Sequence, residues 1–136
     1  MVRLMLCFVR REGLSLAEFQ DYWRSAEHHE KIASLVALFA PDHHSDTLTV
    51  NLSDIQQRFR QTLGRGVEYD AVVEFYWKDA DVIRERLTDT AVGQILRVLR
   101  DQSIKRVDPD RTTVFFTEMP TFPSETRLQT MAETDS

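Results

Sequence analysis

The chain has 136 residues, of which 42% are hydrophobic and 29% are charged, a balance typical of one ordinary globular domain. Its net charge of −5 comes from interleaved acidic and basic residues, without the basic patch of a nucleic-acid-binding surface, and no apolar run approaches the roughly 18 residues of a membrane-spanning helix. We therefore expect a cytoplasmic protein that binds neither nucleic acid nor membrane. The single cysteine, Cys7, excludes an intramolecular disulfide.

The first part of the chain predicts a strand followed by helix. Residues 2–10 are apolar on both alternating faces, which is typical of a strand buried on both sides. Ser15 and Glu18 then form a capping box, so a helix begins at Ser15. Apolar residues at helical spacing continue as far as Pro41, which predicts either one long helix or two short ones.

The rest of the chain predicts three more strands and two more helical regions. The strands are expected at about 45–51, 69–77 and 112–118, and the second of these is the clearest because β-branched and aromatic residues dominate it. A short helix is expected at about 53–64, as an insertion between strands. A longer helical region is expected at about 79–101.

This order predicts an α+β fold of the ferredoxin-like βαββαβ type, in which two helices cover one face of a four-stranded antiparallel sheet. We expect this domain to cover residues 1–119, and residues 120–136 to form a tail that is disordered or packed on a partner subunit. The other sheet face would expose apolar residues of the first strand together with Phe115 or Phe116. Because a large exposed apolar area usually marks an interface, we expect a homodimer.

The predicted third strand has two different faces. One face is apolar and belongs under the helices, with Ala71, Val73, Phe75 and Trp77. The other face carries Asp70, Val72, Glu74 and Tyr76 and points toward the partner subunit. Carboxylates in a fully packed space would be poorly solvated, which favours a partly hollow, polar-lined cavity.

Several motifs resemble the EthD-like family of the dimeric α/β-barrel superfamily, over about residues 2–119. They are Arg10-Arg11-Glu12-Gly13-Leu14-Ser15, Glu18-Phe19, Tyr22-Trp23, Tyr69-Asp70, Glu74, Asp101 with Ile104, and Glu118. The resemblance implies a homodimeric ferredoxin-like barrel. It also implies membership of a family that includes small lyases, dehydratases and decarboxylases acting on polyketide-derived aromatics.

In that family a histidine usually follows the tryptophan by one turn. Here the position holds Glu27, and the histidines come later, as His28 and His29. The spacing to the downstream Ile32 favours His29 as the equivalent. Adjacent helical residues point about 100° apart, so only one of the two histidines can face a pocket.

A histidine near a cavity lined by Asp70 and Glu74 is a candidate general base or acid, because imidazole titrates near neutral pH. We therefore predict that His29 or His28 transfers the proton and that a carboxylate orients the imidazole or the substrate. The plainer alternatives are a histidine that stabilises a helix end, and carboxylates that pair with arginines such as Arg97 or Arg100.

Aromatic side chains and one further histidine are predicted to line the substrate site: Tyr22, Trp23, His44, Tyr76 and Phe115. His43 and His44 are most simply loop residues before a strand. Neither histidine pair has the His-x-x-x-His spacing of a helical metal site, so we expect no metal, and no motif indicates a cofactor.

Three functions fit these patterns. The first is a cofactor-independent lyase or cyclase, of the dehydratase or decarboxylase type, that transfers protons on a polyketide-like or aromatic small molecule. The second is a non-enzymatic dimer that binds a small hydrophobic ligand or serves as an accessory subunit. The third is a cofactor-free monooxygenase, because related barrels perform such chemistry.

Overall fold

A computed structural model describes residues 1–50, 52–64, 68–90, 92–94, 97 and 105–119. The secondary structure elements, in chain order, are β1 (Val2–Phe8), α1 (Leu16–Trp23), α2 (Ala26–Phe39), β2 (His43–Leu48), α3 (Ser53–Leu63), β3 (Ala71–Trp77), α4 (Ala80–Arg86) and β4 (Thr113–Glu118). Among the described helices, none is both long enough and apolar enough to cross a membrane.

The four strands form one antiparallel sheet in the order β2-β3-β1-β4. The first and third strands in the chain are therefore the central pair, and the second and fourth strands lie at the two edges. This is the arrangement of the ferredoxin-like fold, and it confirms the predicted fold class.

The core lies between the sheet and the helices. Ala71, Val73, Phe75 and Trp77 of β3 are all 0% exposed, which agrees with the predicted apolar face. Phe19 of α1 is also 0% exposed and packs in the same cluster. The indole Nε1 of Trp77 donates a hydrogen bond of 3.0 Å to the Phe39 carbonyl, so the largest core side chain has no unsatisfied polar atom.

The opposite face of the sheet is called the open face here. The strand register places these residues on it: Arg3, Met5 and Cys7 of β1, Val72, Glu74 and Tyr76 of β3, and Thr113, Phe115 and Thr117 of β4. Phe115 is therefore the phenylalanine of β4 on the open face. Phe116 is level with Leu4 and belongs to the helix side.

The predicted second strand needs a correction, because β2 begins at His43 and ends at Leu48 rather than spanning 45–51. The left-handed Ala40, with a φ of 41°, ends α2, and His43 is already level with Tyr76 of β3. His43 and His44 are therefore strand residues and not loop residues. Pairing with the central strand outweighs the weak β-propensity of His, Ser and Asp in this segment.

The helical predictions are only partly correct. The first region is two helices, α1 and α2, which is one of the two predicted alternatives, and α3 begins at Ser53 and ends at Leu63, close to the expected 53–64. The region expected at 79–101 contains α4, which ends at Arg86. Beyond it, many residues up to 104 lie outside the described part of the chain, as does the predicted tail at 120–136.

Candidate active site

The break between α1 and α2 decides which histidine faces the interior. Ser25 caps α2, because its hydroxyl accepts a hydrogen bond of 3.3 Å from the backbone N–H of His28. The helix then buries His28, Lys31, Leu35 and Phe39, a spacing of three and four residues that defines one face. His29 lies about 100° away and is exposed.

A carboxylate from the sheet holds His28. Its Nε2 lies 2.6 Å from Oδ2 of Asp46, and Oδ1 of Asp46 accepts a hydrogen bond of 2.5 Å from Nε1 of Trp23. The His28 ring also lies against the Trp23 ring, with centroids 3.8 Å apart. His28 is 4% exposed, so its imidazole is fixed by one carboxylate and one aromatic face.

This geometry defines what the imidazole can do. A carboxylate accepts hydrogen bonds, so the Asp46 pairing assigns the Nε2 proton to His28 and leaves Nδ1 unprotonated in the neutral ring. A histidine whose tautomer and orientation are set by an aspartate is the arrangement of a general base and its positioning carboxylate. The pair can therefore accept a proton and return it.

A second polar group lies beside this pair. Lys31 is 8% exposed, and its Nζ donates a hydrogen bond to the hydroxyl of Tyr22. The guanidinium of Arg106 lies 3.8 Å from the centroid of the Tyr22 ring. Tyr22 and His28 meet edge to face, with centroids 5.8 Å apart. Arg106 also lies 3.9 Å from the carboxylate of Glu27. Lys31 and Tyr22 line the same small cavity as His28, so one cation and one hydroxyl lie beside the imidazole, which favours a ligand that develops negative charge.

Two cavities adjoin these residues. A closed cavity of about 30 Å³ lies between the sheet and the helices, and it is lined by Tyr22, Trp23, His28 and Lys31 together with apolar side chains. This volume suits about one water molecule. An open crevice of about 330 Å³ is lined by Trp23, Arg24, His29, Ile32, His44, Ser45, Asp46 and Leu48, and its size suits a small ligand.

The structure gathers only part of the predicted site. Tyr22 and Trp23 line the closed cavity with His28, whereas His29 and His44 line the open crevice with Trp23. Trp23 and Ile32 line both spaces and form their common wall. The assignment of the catalytic role to His29 or His28 stays a prediction.

The predicted carboxylates lie elsewhere, and this corrects the expected constellation. Glu74 and Tyr76 are on the open face, so the sheet separates them from His28, and Phe115 is on that face too. The Glu74 carboxylate accepts hydrogen bonds from Tyr76 and Ser45 and lies 4.0 Å from the Arg3 guanidinium. Arg3 thus takes the role suggested for Arg97 or Arg100.

Asp70 is a structural carboxylate in the described geometry. It is 8% exposed and accepts two hydrogen bonds of 2.7 Å from Arg10, one from the backbone N–H and one from the guanidinium. These bonds tie the end of β1 to the start of β3. The arginine is one that the sequence analysis did not consider as its partner.

We expect Asp70→Ala to lower the free energy of unfolding by about 2 kcal/mol, because the substitution leaves the Arg10 backbone N–H without its acceptor. Urea denaturation measures this difference. Glu68→Ala is the matched control, since Glu68 also pairs with an arginine but its side chain is 70% exposed, and we expect a change below about 0.5 kcal/mol. Equal losses in the two variants would contradict the structural role of Asp70.

Other candidate groups are less suited to chemistry. Burial and the nearby carboxylate of Glu74 raise the pKa of the Cys7 thiol, which keeps it protonated at neutral pH and makes it a poor nucleophile. Within the described ranges, no group of three or more histidine, cysteine, aspartate or glutamate side chains could hold a metal ion.

The sequence analysis missed Asp46, Lys31 and Arg106. A signal was present for the first two: Asp46 is two residues before Leu48 and so shares its strand face, and Lys31 is three residues after His28 on the helix. No pattern in the sequence indicated Arg106, because Arg106 and Tyr22 are far apart along the chain and come together only in the folded protein.

The fold and the crevice define a ferredoxin-like α+β protein with a buried histidine–aspartate pair beside a small-ligand pocket. The chain matches the EthD domain over residues 11–110 and belongs to that family. The search among curated proteins found no match.

Two solved structures share this fold. One is the crystal structure of the At3g17210 protein of Arabidopsis thaliana, with 15% identity and a TM-score of 0.55 over 90% of this chain and 98% of that chain. The other is a dimeric protein of unknown function with a ferredoxin-like fold from Bacteroides fragilis, with 13% identity and a TM-score of 0.52 over 87% and 95% of the two chains. Both likenesses concern the fold alone.

Proposed function

We propose that this EthD-family protein is a cofactor-independent lyase or cyclase that transfers a proton on a small aromatic or polyketide-like molecule. The observation that carries the proposal is the 2.6 Å contact between the buried His28 imidazole and Asp46, at the wall of a crevice large enough for such a ligand. A buried, oriented imidazole near a concave pocket is the usual combination for general acid–base chemistry.

In this proposal, the ligand enters the open crevice and packs against Trp23. A ligand that displaces the Ile32 side chain joins the crevice to the closed cavity and reaches His28. Nδ1 of His28 then removes a proton from a carbon next to a carbonyl. The Tyr22 hydroxyl and the Lys31 ammonium stabilise the negative charge that develops on the carbonyl oxygen. In an elimination, the proton goes to a hydroxyl on the neighbouring carbon, whose C–O bond breaks to release water as a C=C bond forms. In a ring closure, the enolate carbon bonds to a second carbonyl carbon of the same molecule and the proton goes to the oxygen of that carbonyl.

The test follows the first step of the proposed mechanism, removal of an α-proton, which exchange with solvent deuterium reports. The protein is incubated in D₂O with 2-tetralone, an enolisable aromatic ketone, and deuterium incorporation is followed by NMR. We expect exchange at least 100-fold faster than with the same concentration of free imidazole, because positioned general bases contribute about 10²–10⁴-fold. Saturable binding of the ketone without faster exchange would instead support the non-enzymatic binding protein.

We also propose that the protein is a homodimer formed through the open face. Phe115 is 40% exposed there beside Met5, and the similar Bacteroides fragilis protein is itself described as dimeric. Exposed apolar side chains among polar ones on one sheet face are typical of an interface between subunits.

A negative charge introduced on the open face by substitution is therefore expected to separate the subunits. Phe115→Glu would place a carboxylate in an apolar interface, and light scattering should change from the dimer mass to that of one 15.9 kDa chain. The control is Ala33→Glu on the exposed surface of α2, which should leave the dimer intact. A wild-type protein that is monomeric at micromolar concentration would contradict the homodimer.

A further inference from the structure

Helix α3 exposes a continuous apolar stripe. Ile55, Phe59 and Leu63 are spaced by four residues, and Leu52 precedes them on the same side. Their exposed fractions are 49% for Leu52, 47% for Ile55, 62% for Phe59 and 79% for Leu63. No residue of α3 is buried, although the helix has a distinct apolar side and a distinct polar side.

Its own subunit buries no side chain of this helix, which pairs through Arg60 with the exposed Glu68. With 11 residues, α3 is shorter than the roughly 12–15 residues at which isolated helices become even marginally stable in water. Its apolar stripe therefore needs a surface to pack against. An exposed apolar patch of a few hundred Å² on a small protein marks an interaction site.

We infer that α3 is an arm of the dimer interface and that its stripe packs on a second copy of this chain. The inference rests on the homodimer proposed above. Area supports it, because the exposed part of the stripe amounts to roughly 400–500 Å², about half of the roughly 800 Å² of accessible surface that each partner buries in a standard interface.

The arm and the open face are also continuous. A groove of about 980 Å³ lies between α3 and the end of the sheet, and its lining runs from Leu16 and Gln20 of α1, past Phe59 of the arm, to Val72. Val72 is an open-face residue of β3. A second copy seated on the open face would therefore reach this groove at Val72.

The experiment measures the dimer dissociation constant of the full chain by analytical ultracentrifugation. Phe59→Glu should raise this constant about 30-fold or more, the loss typical of a central interface residue. Gln61→Glu is the matched control, since it adds the same charge to the polar side of α3, and it should leave the constant within about threefold. Circular dichroism should show both variants folded, because neither position is buried in the subunit.

Direct contact is tested with a photo-crosslinking benzoylphenylalanine at position 59 in an equal mixture of ¹⁴N- and ¹⁵N-labelled protein. The inference predicts crosslinked peptides that pair the two labels, which only contact between copies can produce. Crosslinks confined to one label, for example to residues 120–136 of the same chain, would overturn it.

The two proposals can fail separately. A dimer that Phe115→Glu separates but Phe59→Glu leaves unchanged would overturn the role of the arm and keep the open-face interface. A monomeric wild-type protein would overturn both. If the protein did not accelerate deuterium exchange into 2-tetralone, only the catalytic proposal would be overturned.

Discussion

Replacing His28 by alanine is expected to lower the rate of deuterium exchange into 2-tetralone about 100-fold. The reason is geometric: His28 is the histidine that a carboxylate and an aromatic ring hold in one orientation, with Nε2 on Asp46 and the ring against Trp23. An oriented base acts on a bound substrate far better than a mobile one. The assay is the NMR exchange rate at saturating ketone.

Three further variants separate chemistry from folding. His28→Gln can keep a hydrogen-bond donor for Asp46 while removing the base, so it should lose activity and remain folded. Asp46→Asn should also lose activity, because an amide is a weaker acceptor for orienting the imidazole. His29→Ala should retain most of the rate. In the sequence, the spacing to Ile32 favours His29 rather than His28 as the base. Loss of activity in His29→Ala alone would support that hypothesis and contradict the role of His28.

Replacing Trp77 by alanine is expected to lower the free energy of unfolding by about 4 kcal/mol. The side chain is 0% exposed, and its loss leaves both a large void and a Phe39 carbonyl without its donor. Trp77→Phe should cost less, because it keeps part of the buried volume. Urea denaturation measures both variants.

Leu38→Ala provides the matched control for a large apolar residue, since Leu38 is 46% exposed on α2. We expect a loss below about 1 kcal/mol for this variant. Losses for Trp77→Ala and Leu38→Ala that do not differ would contradict the position of Trp77 in the core.

The fold was predictable wherever local pattern and tertiary packing agree. In β3 the alternation of Ala71, Val73, Phe75 and Trp77 with more polar residues predicted both the strand and its buried face. In β2 they disagree: His43 and His44 have weak β-propensity and form strand only because they pair with β3. A single sequence does not show this partner.

The candidate site was harder to predict because it depends on where α1 ends and on the direction in which α2 continues. Arg24 ends α1 and Ser25 starts α2, and this break turns His28 inward and leaves His29 outside. A continuous helix through this region would give a different register. Asp46 was missed for a related reason, since its relation to His28 arises only when β2 and α2 are packed together.

The predicted carboxylates show what cannot be predicted from the alternation of residues along a strand. The alternation correctly placed Glu74 and Tyr76 on the side opposite the helices, but it did not show that the sheet would separate them from the histidines. Asp70 was expected in a cavity, yet Arg10 comes close enough to take both of its oxygens. Ion pairs between distant segments depend on how the segments pack in the fold and not on the spacing of residues in the sequence.

The ligand is proposed to bind between the helices and the sheet, against Trp23 and the His28–Asp46 pair. The chain has two tryptophans, so its NMR spectrum contains two indole N–H signals, one from Trp23 on Asp46 and one from Trp77 in the core. Titration with 2-tetralone should move the Trp23 signal saturably and leave the Trp77 signal in place, with Trp77→Phe assigning the two. Saturable binding that moves neither indole, while signals of the open face shift, would contradict the claim.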